Sequence, residues 1–270
     1  MGFPFYESSD SRSLKETTFS RRVLTDEQWS RIKGYLPDRA GTPGRSGVDN
    51  RLFVDAILWM AGNAAHWRDL PDIFGKWTAV HARFRRWSRN GVWEGLFHAM
   101  ADTPGFEYVM IDSTISKVHA DASGGKRGAQ SAAIGRSRGG LTTKLHAAVD
   151  AIGLPLRICP TPGQYGDCPQ AQTLLSGLEG VGHVIADAAY DADPLRAFIV
   201  DDLGATAQIK ANPSRASAPA IDWRLYKERH QVECFFNKLK RFRRIALRCE
   251  KTISAFMGFV HLACAMIWIR

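Results

Sequence analysis

Apolar residues recur every three or four positions through the first third of the chain, a spacing typical of amphipathic helices. The segment from Leu24 to Trp29 predicts a helix start, because Thr25 and Gln28 have the spacing of a capping box. This helix is expected to end at Pro37, ahead of a loop rich in Gly and Pro. A second helix is predicted by the apolar series Leu52, Phe53, Ala56, Ile57 and Met60.

A short helix and a basic amphipathic helix are predicted next. Residues 67–75 have Pro71 near the first turn and an exit at Gly75. The following helix, which Thr78 can cap, has an apolar face formed by Val80, Phe84 and Trp87. Its remaining faces carry His81, Arg83, Arg85, Arg86 and Arg89. The pair is typical of a helix-turn-helix whose second helix enters the major groove of DNA; the alternative is a structural helix with a solvated basic face.

Beyond residue 105 the pattern changes to short β-type runs that alternate with helical segments. Strands are predicted over 107–112, 141–150, 154–159, 183–187 and 205–210, with the second and third joined as a hairpin. Helices are predicted over 171–178 and, after a Pro/Ser/Ala-rich linker at 211–220, through the final region. We therefore expect a flexible tail over 1–20, a small all-α domain over 21–104 and an α/β domain over 105–270.

The charge of the chain is positive but unevenly distributed. The 270 residues include 36 Lys and Arg against 27 Asp and Glu, a formal charge of +9 that points to a polyanionic partner, nucleic acid or a membrane surface. Regions 1–106 and 223–270 carry +3 and +8, whereas 107–222 carries −2. A membrane-surface protein has no need of an acidic region between two basic ones, so the distribution favours DNA.

The sequence also bears on the compartment. The N-terminus lacks the apolar run of a signal peptide. The apolar run 253–269 is short for a transmembrane span and contains His261, which favours a buried C-terminal helix. Five widely spaced cysteines without a CxxC pair indicate reduced thiols and no zinc knuckle. The expectation is a soluble, cytoplasmic protein without membrane contact.

Two carboxylates, Asp112 and Asp187, stand at the ends of predicted strands. The carboxyl edge of a sheet collects active-site residues, because the loops that leave it are free to vary. For one such residue alone, a helix cap or a turn former is the competing interpretation. Two such aspartates together favour the catalytic interpretation.

A third acid, Glu233, lies on a predicted helix that an apolar stripe anchors to the core. Tyr226, Glu233 and Lys240 are seven residues apart and so share one face of a continuous helix, with Arg229 one turn before Glu233. An acid between cations fits a metal ligand among phosphate-binding groups, and it also fits a plain ion-pair network. The spacing alone leaves both open.

The pattern Tyr226-x2-Arg229-x3-Glu233-x6-Lys240 resembles the Y-(2)-R-(3)-E-(6)-K signature of insertion-sequence DDE transposases. When Asp112 and Asp187 are added to this pattern, the chain from about Leu24 onward resembles the transposases of the IS5 family, and in particular its IS427-like branch. Further matching segments are Trp67 to Pro71, Arg85 to Ser88 and Gly139 to Lys144. The chain departs from its relatives at Ala188, where Lys or Arg is usual, and at Tyr165-Gly166-Asp167, where a His before the Asp is common.

The resemblance implies an RNase H-like catalytic domain, a mixed sheet with helices on both faces. It also implies two Mg²⁺ ions, for which Mn²⁺ can substitute, with Asp112 bridging both and Asp187 and Glu233 completing the separate sites. Such an enzyme cleaves DNA at the terminal inverted repeats of its element and joins the 3′-OH ends to target DNA. Arg229 and Lys240 are then expected to bind phosphates, and Tyr226 a phosphate or a base.

Other contacts and partners follow as expectations. Arg83, Arg85, Arg86 and Arg89 are expected to bind DNA, as are Lys126 and Arg127 in the Gly-rich basic segment 123–140, for which a plain linker is the alternative. His119 has a structural or a catalytic role. A homo-oligomer, at least a dimer in the synaptic complex, is expected. The competing functions are a metal-dependent nuclease without strand transfer and a DNA-binding regulator with a vestigial catalytic domain.

Overall fold

The computed structural model describes residues 24–37, 49–101, 107–123 and 133–270. Its N-terminal helices are α1 (Asp26–Ile32), α2 (Asn50–Asn63), α3 (Trp77–Arg89) and α4 (Val92–Met100), and a 3₁₀ turn, Lys33–Tyr35, extends α1. The capping box is confirmed, because the Gln28 backbone N–H donates to Thr25 Oγ1 and the Thr25 N–H donates to Gln28 Oε1. The predicted tail over 1–20 lies outside the described residues.

The segment before α3 differs from the prediction. Two 3₁₀ turns, Trp67–Asp69 and Asp72–Phe74, replace the short helix. Pro71 lies between them and has no N–H with which to continue a helix. Helix α3 begins at Trp77, after Lys76, and no side chain caps it, so the Thr78 cap is wrong. The buried face of Val80, Phe84 and Trp87 is confirmed.

The described residues form one sheet of seven strands: β1 (Tyr108–Val118), β2 (Gly135–Ser137), β3 (Gly140–Val149), β4 (Pro155–Pro162), β5 (His183–Ala186), β6 (Thr206–Ile209) and β7 (Leu247–Arg248). The order is β2-β3-β1-β5-β6, with β4 also on β3 and β7 on β1. Strands β1, β3 and β4 are antiparallel, whereas β5 runs parallel to β1 and β6 parallel to β5. An antiparallel meander continued by parallel strands is the sheet that the RNase H-like prediction requires, and that prediction is confirmed.

The remaining helices are α5 (Ala120–Ser123), α6 (Cys168–Leu175), α7 (Asp193–Ala197), α8 (Trp223–Lys227), α9 (His230–Lys240), α10 (Arg243–Ala246) and α11 (Ile253–Trp268), with a π turn at Phe198–Asp202. Helix α6 starts and ends three residues earlier than predicted. Pro169 near its start explains the early beginning, since proline suits the first turn of a helix.

Each face of the sheet is covered by its own core. On one face, α6, α7 and the π turn after α7 bury Leu174, Leu195 and Ile199, respectively. On the other face, α9 and α11 share a continuous core with the N-terminal helices, where Phe84 and Phe259 lie 4.4 Å apart between ring centroids. Helix α11 is therefore the buried C-terminal helix that was predicted. Within the part of the chain that is described, no helix combines the length and apolar character needed to cross a membrane.

Candidate active site

Asp112 lies within β1 and not at its end, which corrects the prediction. Parallel pairing with β5 stops at Met110, two residues earlier, but β1 continues to Val118 because β3 and β7 pair with it. Asp112 therefore stands where β1 extends beyond its parallel neighbour. Its side chain is 19% exposed, and the N–H of Ser113 donates to Oδ1 at 2.7 Å.

Asp187 follows β5 directly, as predicted, and starts the 3₁₀ turn Ala188–Tyr190. Its Oδ1 accepts the N–H of Ala189 at 2.9 Å. Since β5 and β1 are parallel neighbours, the chain brings the two aspartates to the same edge. Burial raises the pKa of Asp112; the Ser113 N–H and the positive charge of Arg229 oppose this rise in pKa, and the charge of Asp187 adds to it.

Glu233 is on α9, but the helix that carries it is not continuous with Tyr226. Helix α8 ends at Lys227, and α9 begins at His230. Across the junction the backbone N–H groups of Glu228, Arg229, Gln231 and Val232 each donate to a carbonyl three residues earlier, as in a 3₁₀ turn. The prediction of one continuous helix from Tyr226 to Lys240 is therefore wrong.

Arg229 lies between two of the carboxylates. Its Nη1 donates to Asp112 Oδ2 at 2.8 Å, and its Nη2 donates to Glu233 Oε1. Among the described residues, no three His, Cys, Asp or Glu side chains are grouped closely enough to hold a metal ion. The three carboxylates nevertheless supply the hard oxygen donors that Mg²⁺ prefers. The donor chemistry fits the ion, and in the structure both Asp112 and Glu233 accept hydrogen bonds from Arg229.

Tyr226 and Lys240 differ in their distance from this centre. The hydroxyl of Tyr226 has a raised pKa because of burial, an effect that Arg229 opposes and the charges of Asp187, Asp112 and Glu233 reinforce. The phenol thus belongs to the carboxylate centre although it is on α8. Lys240 is half-buried two turns further along α9, about 10 Å from Glu233 along the helix axis. Burial lowers its pKa.

The sequence did not single out Tyr190 as a site residue. This side chain is fully buried, and its hydroxyl has no hydrogen-bond partner within the part of the chain that the structure describes. Burial raises its pKa, and the charges of Asp167, Asp112 and Asp187 raise it further. Lys144 pairs with Asp167 at 3.0 Å. The position of Tyr190, three residues after Asp187, is the feature of the sequence that could have identified it as a site residue.

His119 lies away from the carboxylate centre. Its Nδ1 is 3.3 Å from Asp121 Oδ2, and its backbone N–H donates to the carbonyl of Arg248. It follows the last residue of β1, seven positions beyond Asp112. These contacts tie His119 to the far end of β1.

The structure separates the arginines of α3. Arg83 turns inward, where its side chain donates to Asn50 and its guanidinium lies 4.3 Å from the ring centroid of Phe53 and 4.7 Å from that of Trp87. Arg85, Arg86 and Arg89 are exposed. Lys126 and Arg127 lie outside the described residues. Arg83 thus stabilises the helical core, and the other three arginines face solvent.

Two family comparisons together cover most of the chain. Residues 24–97 match the family described as "Putative transposase of IS4/5 family", and residues 104–268 match "Transposase DDE domain".

Individual relatives match over shorter lengths. A "Putative transposase for insertion sequence element IS6501" of Brucella ovis is 83% identical over 130 residues, 48% of this chain and 100% of that relative. "Uncharacterized protein y4sN" of Sinorhizobium fredii is 44% identical over 106 residues, 38% of this chain and 83% of that relative. A piggyBac transposase synaptic complex with hairpin DNA, solved by cryo-EM, aligns with a TM-score of 0.48 and 13% identity, over 92% of this chain and 73% of that chain.

Proposed function

This chain belongs to the insertion-sequence transposases with a DDE domain, and from that premise we propose that it cleaves DNA at the terminal inverted repeats of its element and joins the freed 3′-OH ends to target DNA. The observation that supports the proposal is that Arg229 pairs with both Asp112 on β1 and Glu233 on α9, while the charge of Asp187, at the end of β5, acts on Asp112. Membership of the IS427-like branch of the IS5 family remains a prediction.

Under this proposal Asp112, Asp187 and Glu233 would hold two Mg²⁺ ions, for which Mn²⁺ would substitute, and Asp112 would be the ligand common to both. When bound, the pair supplies activation of water or a 3′-OH and stabilisation of the charge on the leaving oxygen. The burial of Asp112 strengthens its attraction for a cation, because a partly desolvated carboxylate is poorly screened.

Arg229 is proposed to change partners during the reaction. In the structure it forms ion pairs with Asp112 and Glu233. A DNA phosphate near the scissile bond offers the same guanidinium an equivalent bidentate acceptor. Transfer of Arg229 to that phosphate leaves both carboxylates available for metal and places its charge beside the developing negative charge. Tyr226 and Lys240 are proposed as further contacts to the same strand.

A second basic surface is proposed to grip duplex DNA. Arg85, Arg86 and Arg89 are exposed on α3, and we assign phosphate contacts to them, with Lys126 and Arg127 as further contacts. Arg83 supports this surface from within. Because two element ends must be held together for joining, at least a dimer is proposed in the synaptic complex. The cytoplasm is the proposed compartment.

The test uses the full chain with Mg²⁺ and a DNA duplex that carries the element's terminal inverted repeats. We expect cleaved ends and products joined to a second duplex, both absent with Asp187→Ala. Cleaved but unjoined products would support the nuclease, and binding without cleavage would support the regulator with a vestigial site. Either outcome would overturn the proposed strand transfer.

A further inference from the structure

Trp223 stands out among the aromatic residues by its exposure. The structure describes all eight tryptophans, and Trp223 alone is exposed, at 58%. Removing a surface of this size from water is favourable, so an exposed indole beside a site of chemistry is well suited to contact a ligand. The neighbouring side chains Arg224 and Lys227 are exposed cations.

Trp223 is tied to the carboxylate centre through Tyr226. The two rings form an edge-to-face pair, with centroids 5.5 Å apart and an interplanar angle of 78°. Tyr226 in turn carries a hydroxyl that the charges of Asp187, Asp112 and Glu233 influence. An edge-to-face pair covers at most one face of the indole, so a flat apolar surface stays exposed. Tyr226 lies between this surface and the proposed catalytic centre.

The backbone holds this indole in place. Asp222 caps α8, because its Oδ1 accepts the N–H groups of Arg224 and Leu225, and its own N–H donates to Gln208 Oε1 at 2.8 Å. Gln208 is buried in β6. Leu225 packs against the core beneath. The backbone that carries Trp223 is thus fixed, and its indole packs edge to face with Tyr226, which lowers the entropy cost of ordering the side chain on ligand binding.

We propose that Trp223 binds an unpaired nucleobase of the DNA strand by stacking on the free face of its indole, next to the scissile phosphate. The inference rests on the proposed function. A nucleobase fits this indole because it is flat and aromatic and is attached to a phosphate that the flanking cations can reach. In a paired duplex the base faces are covered by their neighbours, so the indole selects a base that has left the stack.

The test measures binding to an oligothymidylate of about 15 nucleotides by fluorescence anisotropy with the full chain. Trp223→Ala is expected to weaken this binding about 5- to 100-fold, the usual range for losing one base–aromatic stack. Trp223→Phe keeps a ring and is expected to retain most of the affinity. Tyr35→Ala is the control, because Tyr35 is an exposed aromatic, at 52%, on the N-terminal 3₁₀ turn.

A 2-aminopurine placed in the same oligonucleotide gives a second readout, since stacking quenches its fluorescence. We expect quenching by the wild type and Trp223→Phe, and its loss with Trp223→Ala. Equal affinity and equal quenching for the wild type and Trp223→Ala would overturn the stacking proposal while leaving the proposed function intact. Failure of the wild type to bind duplex or single-stranded DNA would overturn the proposed function itself.

Discussion

Arg229 shows how one side chain sets the charge balance of the site. A single guanidinium forms ion pairs with Asp112, on the sheet, and with Glu233, one helical turn away. Burial and the charge of Asp187 raise the pKa of Asp112, and the charge of Arg229 opposes this rise, so Arg229 favours the ionised form of that carboxyl. If the proposed function holds, Arg229 would keep Asp112 and Glu233 together and would compete with a metal ion for them.

Replacing Arg229 separates these two roles. In Arg229→Gln, both carboxylates lose their cation, and we expect Mn²⁺ to bind about tenfold more tightly, equivalent to about 1.4 kcal/mol. The same substitution should weaken binding to duplex DNA. Isothermal calorimetry with Mn²⁺ in the absence of DNA measures the first effect. Arg224→Gln, an exposed arginine on α8, is the control, and unchanged or weaker Mn²⁺ binding by Arg229→Gln would contradict the competition.

His261 offers a pH-dependent test of the packing of α11. The ring is stacked on Phe97 at 5.9 Å, and burial lowers its pKa from 6.5 to about 4, with His98 adding to the effect. Since the unfolded chain takes up the proton more readily, the stability contributed by neutral His261 is complete above pH 6.5 and is lost as the pH falls towards 4. At pH 4.5 the loss is about 2–3 kcal/mol.

His261→Leu removes this proton uptake and keeps the site apolar. We expect its unfolding free energy to fall less than that of the wild type between pH 7 and pH 4.5, as measured by urea titration. His230→Gln, an exposed histidine, should follow the wild type. Parallel pH profiles for His261→Leu and the wild type would show that His261 is not the residue that titrates.

Single residues also mark the limit of what the sequence predicts. The capping box of Thr25 and the position of Asp187 were found because each is a local pattern. The inward turn of Arg83 was not, because Phe53 and Asn50, which it contacts besides Trp87 on its own helix, belong to α2. Tyr190 was missed for the same reason, since its carboxylate neighbours come from three separate segments.

At the scale of elements, α11 is packed so closely that it requires a glycine. A Cβ built on Gly258 would lie 2.4 Å from Ser88 Oγ and 3.1 Å from Trp93 Cδ1, on α3 and in α4. The small residue therefore fixes how near the C-terminal helix comes to the N-terminal ones. Through this contact the helical region and the catalytic domain share one core.

Gly258→Ala tests this approach of the helices. Overpacking is expected to destabilise the protein by about 1–2 kcal/mol, in spite of the higher helix propensity of alanine. Gly95→Ala is the matched control, because Gly95 lies in α4 with nothing within 4 Å of the added Cβ, and should gain up to about 1 kcal/mol. Thermal unfolding of both variants gives the comparison. A stability of Gly258→Ala equal to that of Gly95→Ala would contradict the close contact.

The helices and strands that local sequence patterns determine were predicted, and those that depend on contacts between distant parts of the chain were missed. Strands β3 to β6 follow from apolar runs and turn residues. The length of β1 does not, because Ser113, Thr114 and Ser116 break the apolar run while pairing with β3 holds the strand extended. The junction at Glu228 and Arg229 was likewise hidden, since nothing in these residue types forbids a continuous helix.

The whole molecule places an acidic site between basic surfaces. The net charge of +9 is concentrated in the last 48 residues, which carry α9 and the cations that follow it, while the middle region with Asp112 and Asp187 is net negative. The mixed sheet brings these regions together, and the N-terminal helices add Arg85, Arg86 and Arg89. This distribution suits an enzyme whose basic surfaces attract a polyanion and whose acidic site holds metal ions against one point of that polyanion.

The central claim is that Asp112, Asp187 and Glu233 form one metal-dependent catalytic site. The most direct measurement compares Mg²⁺-dependent cleavage of the terminal-repeat duplex by Asp112→Asn, Asp187→Asn and Glu233→Gln, with Asp201→Asn, an exposed carboxylate on the π turn, as the control. We expect each of the three to lose about two orders of magnitude or more in rate with DNA binding retained, and the control to match the wild type. Cleavage at the wild-type rate by the three variants would contradict the account.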